Sequence, residues 1–163
     1  MNGSPEIYKV LDKLDIKYEY HEHPAAPTIE IAKEYWKDLD ATHCKNLFFR
    51  NHKGDKQYLV VFEHTQNLSV KALEQMLKQG KLSFASDWRL EQYLKVKAGS
   101  VSPLALIHDI ENLVHVFFDE ILLNSKSISF HPGINTASLV IGFIDFKRFM
   151  DYTGNTYEFI KLY

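Results

Sequence analysis

Two β-rich runs, Leu47 to Arg50 and Gln57 to Phe62, enclose the short polar break Asn51-His52-Lys53-Gly54-Asp55. A glycine in so short a break supplies the positive φ that a hairpin turn needs, so the two runs are expected to pair antiparallel. That pairing, in the first half of the chain, argues against the evenly alternating βαβ units of a doubly wound sheet. The flanking pattern agrees. Ile7, Val10, Leu11 and Leu14 recur at helical spacing across Pro5 to Leu14. Ile16, Tyr18 and Tyr20 then alternate with polar residues, as in a half-buried strand. Thr28 is placed to cap a helix running to Glu34 or Trp36.

Further along, Ser69 heads a helix with Val70, Leu73, Met76 and Leu77 on one face, and Gly80 is placed to stop it. Leu82 and Phe84 suit a short strand. Ser86 heads another helix that turns Leu90, Tyr93 and Leu94 inward. Strands are expected over Leu113 to Phe118, Ser127 to Phe130 and Ala137 to Phe143, and a last helix from near Asp145. The expected fold is mixed α/β (α+β): a largely antiparallel sheet, flanked by helices. With no repeat and no Pro/Ser-rich linker, residues 1–163 are read as one domain.

Charge narrows the function. The formal net charge is -2, so no bulk positive field draws in nucleic acid, and any RNA contact must be a local basic patch. Lys53, Lys56, Lys71, Lys78, Lys81, Arg89, Lys95 and Lys97 are scattered along the sequence. The single cysteine, Cys44, excludes an intramolecular disulfide and fits a cytoplasmic setting. No charged n-region with an apolar run opens the chain, and no apolar stretch approaches the roughly 20 residues of a membrane helix, so no membrane partner is expected.

Phosphate-loop, dinucleotide, zinc-protease and serine-elbow signatures are absent. His21 and His23 share a strand face, a weak metal pattern without a companion carboxylate or thiolate cluster. Cys44, between a turn and an apolar strand, reads as a small buried residue before it reads as a nucleophile. Lys45-Asn46 stands at the opening of the strand Leu47-Phe48-Phe49, where a lysine is either a solvated charge or a ligand group. Gly99-Ser100-Val101-Ser102-Pro103 is either an ordinary turn or a loop whose glycine lets a ligand approach the backbone. His131-Pro132-Gly133, with Asn135, is a third polar break between apolar strands.

Taken in order, these elements resemble a known pattern: His23-Pro24 before a Thr-led helix, Cys44-Lys45-Asn46-Leu47, the Gly-x-x-x-Pro loop Gly99 to Pro103, then His131-Pro132-Gly133 and Asn135. The chain resembles the YbaK/ProX family of bacterial aminoacyl-tRNA deacylases over about Ile7 to Phe146. Within that family it resembles the ProX/PrdX branch, which acts on alanyl-tRNA for proline. The resemblance implies a barrel-like mixed sheet, and Lys45 as the catalytic residue. It implies substrate binding by Asn46, by Gly99, Ser100, Val101, Ser102 and Pro103, and by His131 and Gly133. It implies no metal and no cofactor. The implied partners are the acceptor end of tRNA for proline and, for delivery, prolyl-tRNA synthetase. Two alternatives stay open at this level: a cysteinyl-tRNA deacylase of the sibling branch, and a non-catalytic module that binds an amino acid or aminoacyl-tRNA.

Overall fold

The computed structural model describes residues 1–25, 29–37 and 39–163. The expected cap at Thr28 lies outside the described residues. In chain order the elements are α1 (Pro5–Lys13), β1 (Tyr18–Glu22), α2 (Ile29–Trp36), β2 (Thr42–Arg50), β3 (Gln57–Glu63), α3 (Val70–Leu77), β4 (Ser83–Phe84) and α4 (Asp87–Leu94). They continue with β5 (Val114–Asp119), β6 (Ser127–Phe130), β7 (Ala137–Gly142), α5 (Phe143–Thr153) and β8 (Tyr157–Ile160). Short 3₁₀ segments cover Pro103–His108 and Glu120–Asn124.

The sheet runs in the order β1-β7-β6-β2-β3-β5-β8, with β4 added beside β2. It does not close, since β1 and β8 are its two ends. Four pairings are antiparallel (β1 with β7, β2 with β3, β2 with β4, β6 with β7), and three are parallel (β2 with β6, β3 with β5, β5 with β8). The hairpin anticipated around Gly54 is present: Arg50 faces Gln57, and Gly54 takes φ 75°.

Strand alternation divides the apolar residues between two faces. Leu59 and Val61 of β3 join the main core, with Cys44, Phe48, Val116, Phe118, Phe130, Leu139 and Ile141, beneath α1, α4 and α5. Tyr58, Val60 and Phe62 enter a second cluster with Phe49, Phe117 and Leu73 of α3. This two-sided burial explains why β3 reads as a continuous apolar run. Ile7 and Leu11 of α1 are fully buried, each worth about 1.5–3 kcal/mol of transfer free energy.

Three local expectations change. β2 begins at Thr42, so Lys45 lies fourth in the strand instead of opening it. α3 is stopped by Lys78, which takes φ 55° while its N–H donates to the Glu74 carbonyl; Gly80 bends two residues later, against His52. Met76, expected on the buried face of α3, is 48% exposed. Ser69 does cap α3, its Oγ accepting from the Ala72 N–H at 3.2 Å.

Candidate functional site

β2 changes neighbours along its length. Thr42 and His43 pair with Ile128 and Ser129 of β6, and Phe49 and Arg50 pair with Phe84 and Ser83 of β4. The other edge stays paired to β3 from Cys44 to Arg50. From Cys44 to Leu47 the first edge has no strand partner among the described residues, so the sheet splits at Lys45 and Asn46. An edge of this kind presents backbone N–H and C=O groups that a ligand can pair with.

The unbroken β2–β3 register sends Lys45 and Asn46 to opposite faces. Lys45 opposes Phe62 of the second cluster, its Nζ 5.9 Å from the ring centre, and it donates a long 3.5 Å bond to the Gln66 carbonyl. One such bond leaves the ammonium with free donors. Asn46 opposes Val61 of the main core. Its Nδ2 reaches only the Cys44 carbonyl, at 3.5 Å, and its Oδ1 is buried with no partner among the described residues. A buried amide oxygen left without a donor is uncommon, and it suits a ligand that brings one. Cys44 is 4% exposed. Burial pushes its thiol pKa far up, so it is an inert core residue, not a thiolate.

His131 follows the last residue of β6. The parallel match of His43 with Ser129 is the last on this edge, and His131 follows two residues after Ser129, on the side that alternation gives to Ser129, His43 and Lys45. Its Nδ1 lies 2.8 Å from the Ala137 carbonyl. A carbonyl only accepts, so Nδ1 carries the proton. Burial lowers the His131 pKa, with the Ala137 bond opposing and His23 adding to the depression, so the ring is neutral at pH 7. Nε2 therefore presents a lone pair. The adjoining Pro132 carbonyl accepts from the Ser4 N–H at 2.8 Å. Gly133 holds φ 85° with Ser4 and Ile7 packed against it, which gives this turn a fixed seat on α1.

The polar layer around His131 is one that sequence reasoning missed. His23 donates from Nδ1 to the Pro24 carbonyl at 2.9 Å, and its Nε2 lies 3.0 Å from the Ser138 hydroxyl. The His23 ring stacks on Tyr35 of α2 at 5.2 Å and tilts against His131 at 6.0 Å. His43 stacks on Trp36 at 4.6 Å, and His64 meets Trp36 edge-on at 5.2 Å. His43 is 6% exposed, and neither ring nitrogen has a hydrogen-bond partner among the described residues. Burial drives its pKa down to about 4. The only local signal was the clustering of four histidines near strand ends. His21 leaves this group for Glu19, 3.4 Å away.

The Gly99–Pro103 loop lies elsewhere. Gly99 takes φ 89°, Ser100 and Ser102 are buried, and Val101 packs on the main core. The Ser102 Oγ caps the 3₁₀ segment by accepting from the Leu104 N–H at 3.1 Å. Among the described residues no hydrogen bond or ring contact joins this loop to Lys45, Asn46 or His131. The loop shares the main-core side of the sheet with Asn46, whereas Lys45 and His131 occupy the other side.

Comparison with known proteins supplies an independent line. The profile of the aminoacyl-tRNA editing domain matches residues 23–149. The prolyl-tRNA editing protein ProX of Acetoanaerobium sticklandii is 35% identical over 162 residues, covering 99% of each chain. The mouse prolyl-tRNA synthetase associated domain-containing protein 1 is 31% identical over 153 residues, covering 92% of this chain and 90% of its own. A crystal structure described as a candidate trans-editing enzyme for prolyl-tRNA synthetase shares the fold, with TM-score 0.69 at 21% identity over 98% of this chain and 99% of that one.

Proposed function

Because this chain belongs to the aminoacyl-tRNA editing domain family, we propose that it is a trans-editing hydrolase that clears mischarged alanyl-tRNA for proline. Residues 1–163 act in this reading as one editing domain that corrects the product of prolyl-tRNA synthetase. The observation that carries the proposal is the split beside β2, with a lysine, an unpartnered asparagine oxygen and a neutral histidine grouped around it.

The reaction cleaves the ester between the amino acid and the terminal ribose. A water oxygen adds to the ester carbonyl, the carbonyl oxygen takes up negative charge, and the ribose oxygen then leaves with a proton. The ester is already activated, so positioning the water and stabilising the oxyanion suffice without a covalent nucleophile. Lys45 supplies the positive charge for that oxygen or for the terminal phosphate. The Gly99–Pro103 backbone, with Ser100, Val101 and Ser102, approaches the ligand from the main-core side of the split. The His131 Nε2, on the Lys45 side, is an acceptor matched to the substrate's α-ammonium, and the Asn46 Oδ1 offers an acceptor on the main-core side, where the Gly99–Pro103 loop lies. The ribose hydroxyl beside the ester moves the proton, so a substrate with hydrogen in its place is expected to turn over far more slowly.

Selection between alanine and proline is a problem of size. Extra methylenes gain only about 1–3 kcal/mol each when they are bound, so a pocket that must reject the larger residue does so by clash. His131, fixed by Ala137 and seated by Gly133, serves as the wall. We expect His131→Ala to lower the ratio of alanyl to prolyl hydrolysis by about tenfold, as one methylene-sized difference is worth. An unchanged ratio removes His131 from selection. Preferential loss of cysteine from cysteinyl-tRNA moves the protein to the sibling specificity, and tight binding without hydrolysis of either substrate makes it a binding module.

A further inference from the structure

The hairpin tip, β4, the end of α3 and the start of α4 meet at one end of the molecule. Arg50 pairs with Ser83, and Phe49 with Phe84. The Arg89 Nη1 donates to the Gly54 carbonyl at 3.0 Å and to the Gln57 Oε1 at 3.2 Å, locking α4 to the hairpin. The His52 N–H donates to the Gln79 carbonyl at 3.3 Å, locking the end of α3 to the same turn.

This end gathers charge that looks dispersed in the sequence. Residues 50–56 and 78–89 hold six cations (Arg50, Lys53, Lys56, Lys78, Lys81 and Arg89) against two carboxylates, Asp55 and Asp87. Outside these two segments the chain has 13 Lys and Arg against 19 Asp and Glu, one of which, Glu74, accepts from the Leu82 N–H at 2.9 Å and adds a third carboxylate to this end. The same end carries the two most exposed aromatic side chains among the described residues, Phe84 at 65% and Trp88 at 57%. Phe84 stacks on Phe49 at 4.7 Å, and the Arg89 guanidinium lies 4.7 Å from the Trp88 ring centre. Phe49 falls on the Lys45 side of β2, four residues on. Arg50 is therefore about 16 Å along the strand from Lys45, at about 3.3 Å per residue.

We propose that this end is the RNA-docking surface, its cations holding acceptor-stem phosphates of the tRNA while Phe84 and Trp88 stack unpaired bases of its 3′ strand. Cations interleaved with exposed rings are the combination that single-stranded nucleic acid takes, phosphate on charge and base on ring. The proposed substrate is a polyanion with a single-stranded 3′ end, so RNA is the occupant that meets both the cations and the rings; an acidic protein surface is the competing outcome that the test separates. The inference rests on aminoacyl-tRNA being the substrate.

The test uses the full chain, the Lys53→Glu/Lys81→Glu double variant and Trp88→Ala; all three side chains are exposed. Charge reversal at Lys9 and Lys147, exposed on α1 and α5, is the control for bulk charge. Binding of uncharged tRNA for proline is followed by fluorescence anisotropy across a salt series. Hydrolysis is followed on full alanyl-tRNA and on the alanyl ester of a CCA trinucleotide.

The double variant is expected to bind tRNA at least tenfold more weakly and to lose about one unit of salt slope per phosphate contact removed. Trp88→Ala weakens binding with an unchanged slope. The loss in hydrolysis is confined to full alanyl-tRNA. Wild-type affinity and slope in the double variant, or an equal loss in the Lys9/Lys147 control, overturns the inference. So does intact tRNA binding with lost binding to purified prolyl-tRNA synthetase, which gives the surface to a protein. Failure to hydrolyse either substrate removes the enzymatic reading alone, because the anisotropy arm decides the surface by itself.

Discussion

His43 cannot easily carry charge where it sits, sealed under Trp36 with its pKa depressed to about 4 from 6.5. The sign of the consequence is fixed. Between pH 6.5 and 4 the unfolded chain takes up a proton at this position that the folded chain refuses, so stability falls as pH falls through that window. The His43→Phe variant keeps the stacked ring and removes the titration. Its thermal midpoint, relative to wild type, is expected to rise by roughly 5 °C on going from pH 7.5 to pH 4.5. A difference that does not change with pH contradicts the buried neutral imidazole. The buried His131 titrates in the same direction, so His43→Phe removes only part of the slope.

Among the elements, the turn after β6 is the one whose shape matters most. Gly133 holds φ 85°, and an added Cβ would lie 3.3 Å from the Ser4 Cβ. Gly133→Ala is expected to cost about 1–3 kcal/mol, because an L side chain is strained there. It should also lower hydrolysis by more than the melting curve accounts for, since the same turn carries His131. Ser69→Ala removes the hydroxyl cap of α3 and is expected to cost about 1 kcal/mol, read as a lower urea midpoint at unchanged slope. These caps and turns were legible in the sequence because their causes are local: a serine before a helical stripe, a glycine in a short polar break. The beginning of β2 was not, since Thr42-His43-Cys44-Lys45 carries no apolar alternation and becomes strand by pairing with β3 and β6. The histidine layer was hidden for the same reason, its members coming from β2 and from the ends of β1, β3 and β6.

For the molecule as a whole, the far edge of the sheet depends on buried carboxylates. Asp109 accepts from the Leu113 and Val114 N–H groups and from the Asn155 Nδ2, tying the start of β5 to the approach to β8. Asp119 accepts from the Leu162 N–H at 3.1 Å and the Tyr163 hydroxyl at 2.6 Å, fixing the segment after β8. No local pattern announces a parallel strand held by such distant bonds, and β8 was absent from the sequence reading. Asp119→Ala strands these donors and is expected to cost about 2–4 kcal/mol, with Asp119→Asn losing less because it keeps an acceptor; their order in a denaturation series checks the assignment.

On the proposed function, the ester is cut at the split beside β2. The most direct test follows labelled alanine released from alanyl-tRNA for proline, with wild type beside Lys45→Ala and cysteinyl-tRNA in parallel. Rapid release of alanine by wild type, slowed about 10²–10³-fold in a Lys45→Ala variant that still folds, is the predicted result. Hydrolysis that is undiminished without the lysine contradicts it.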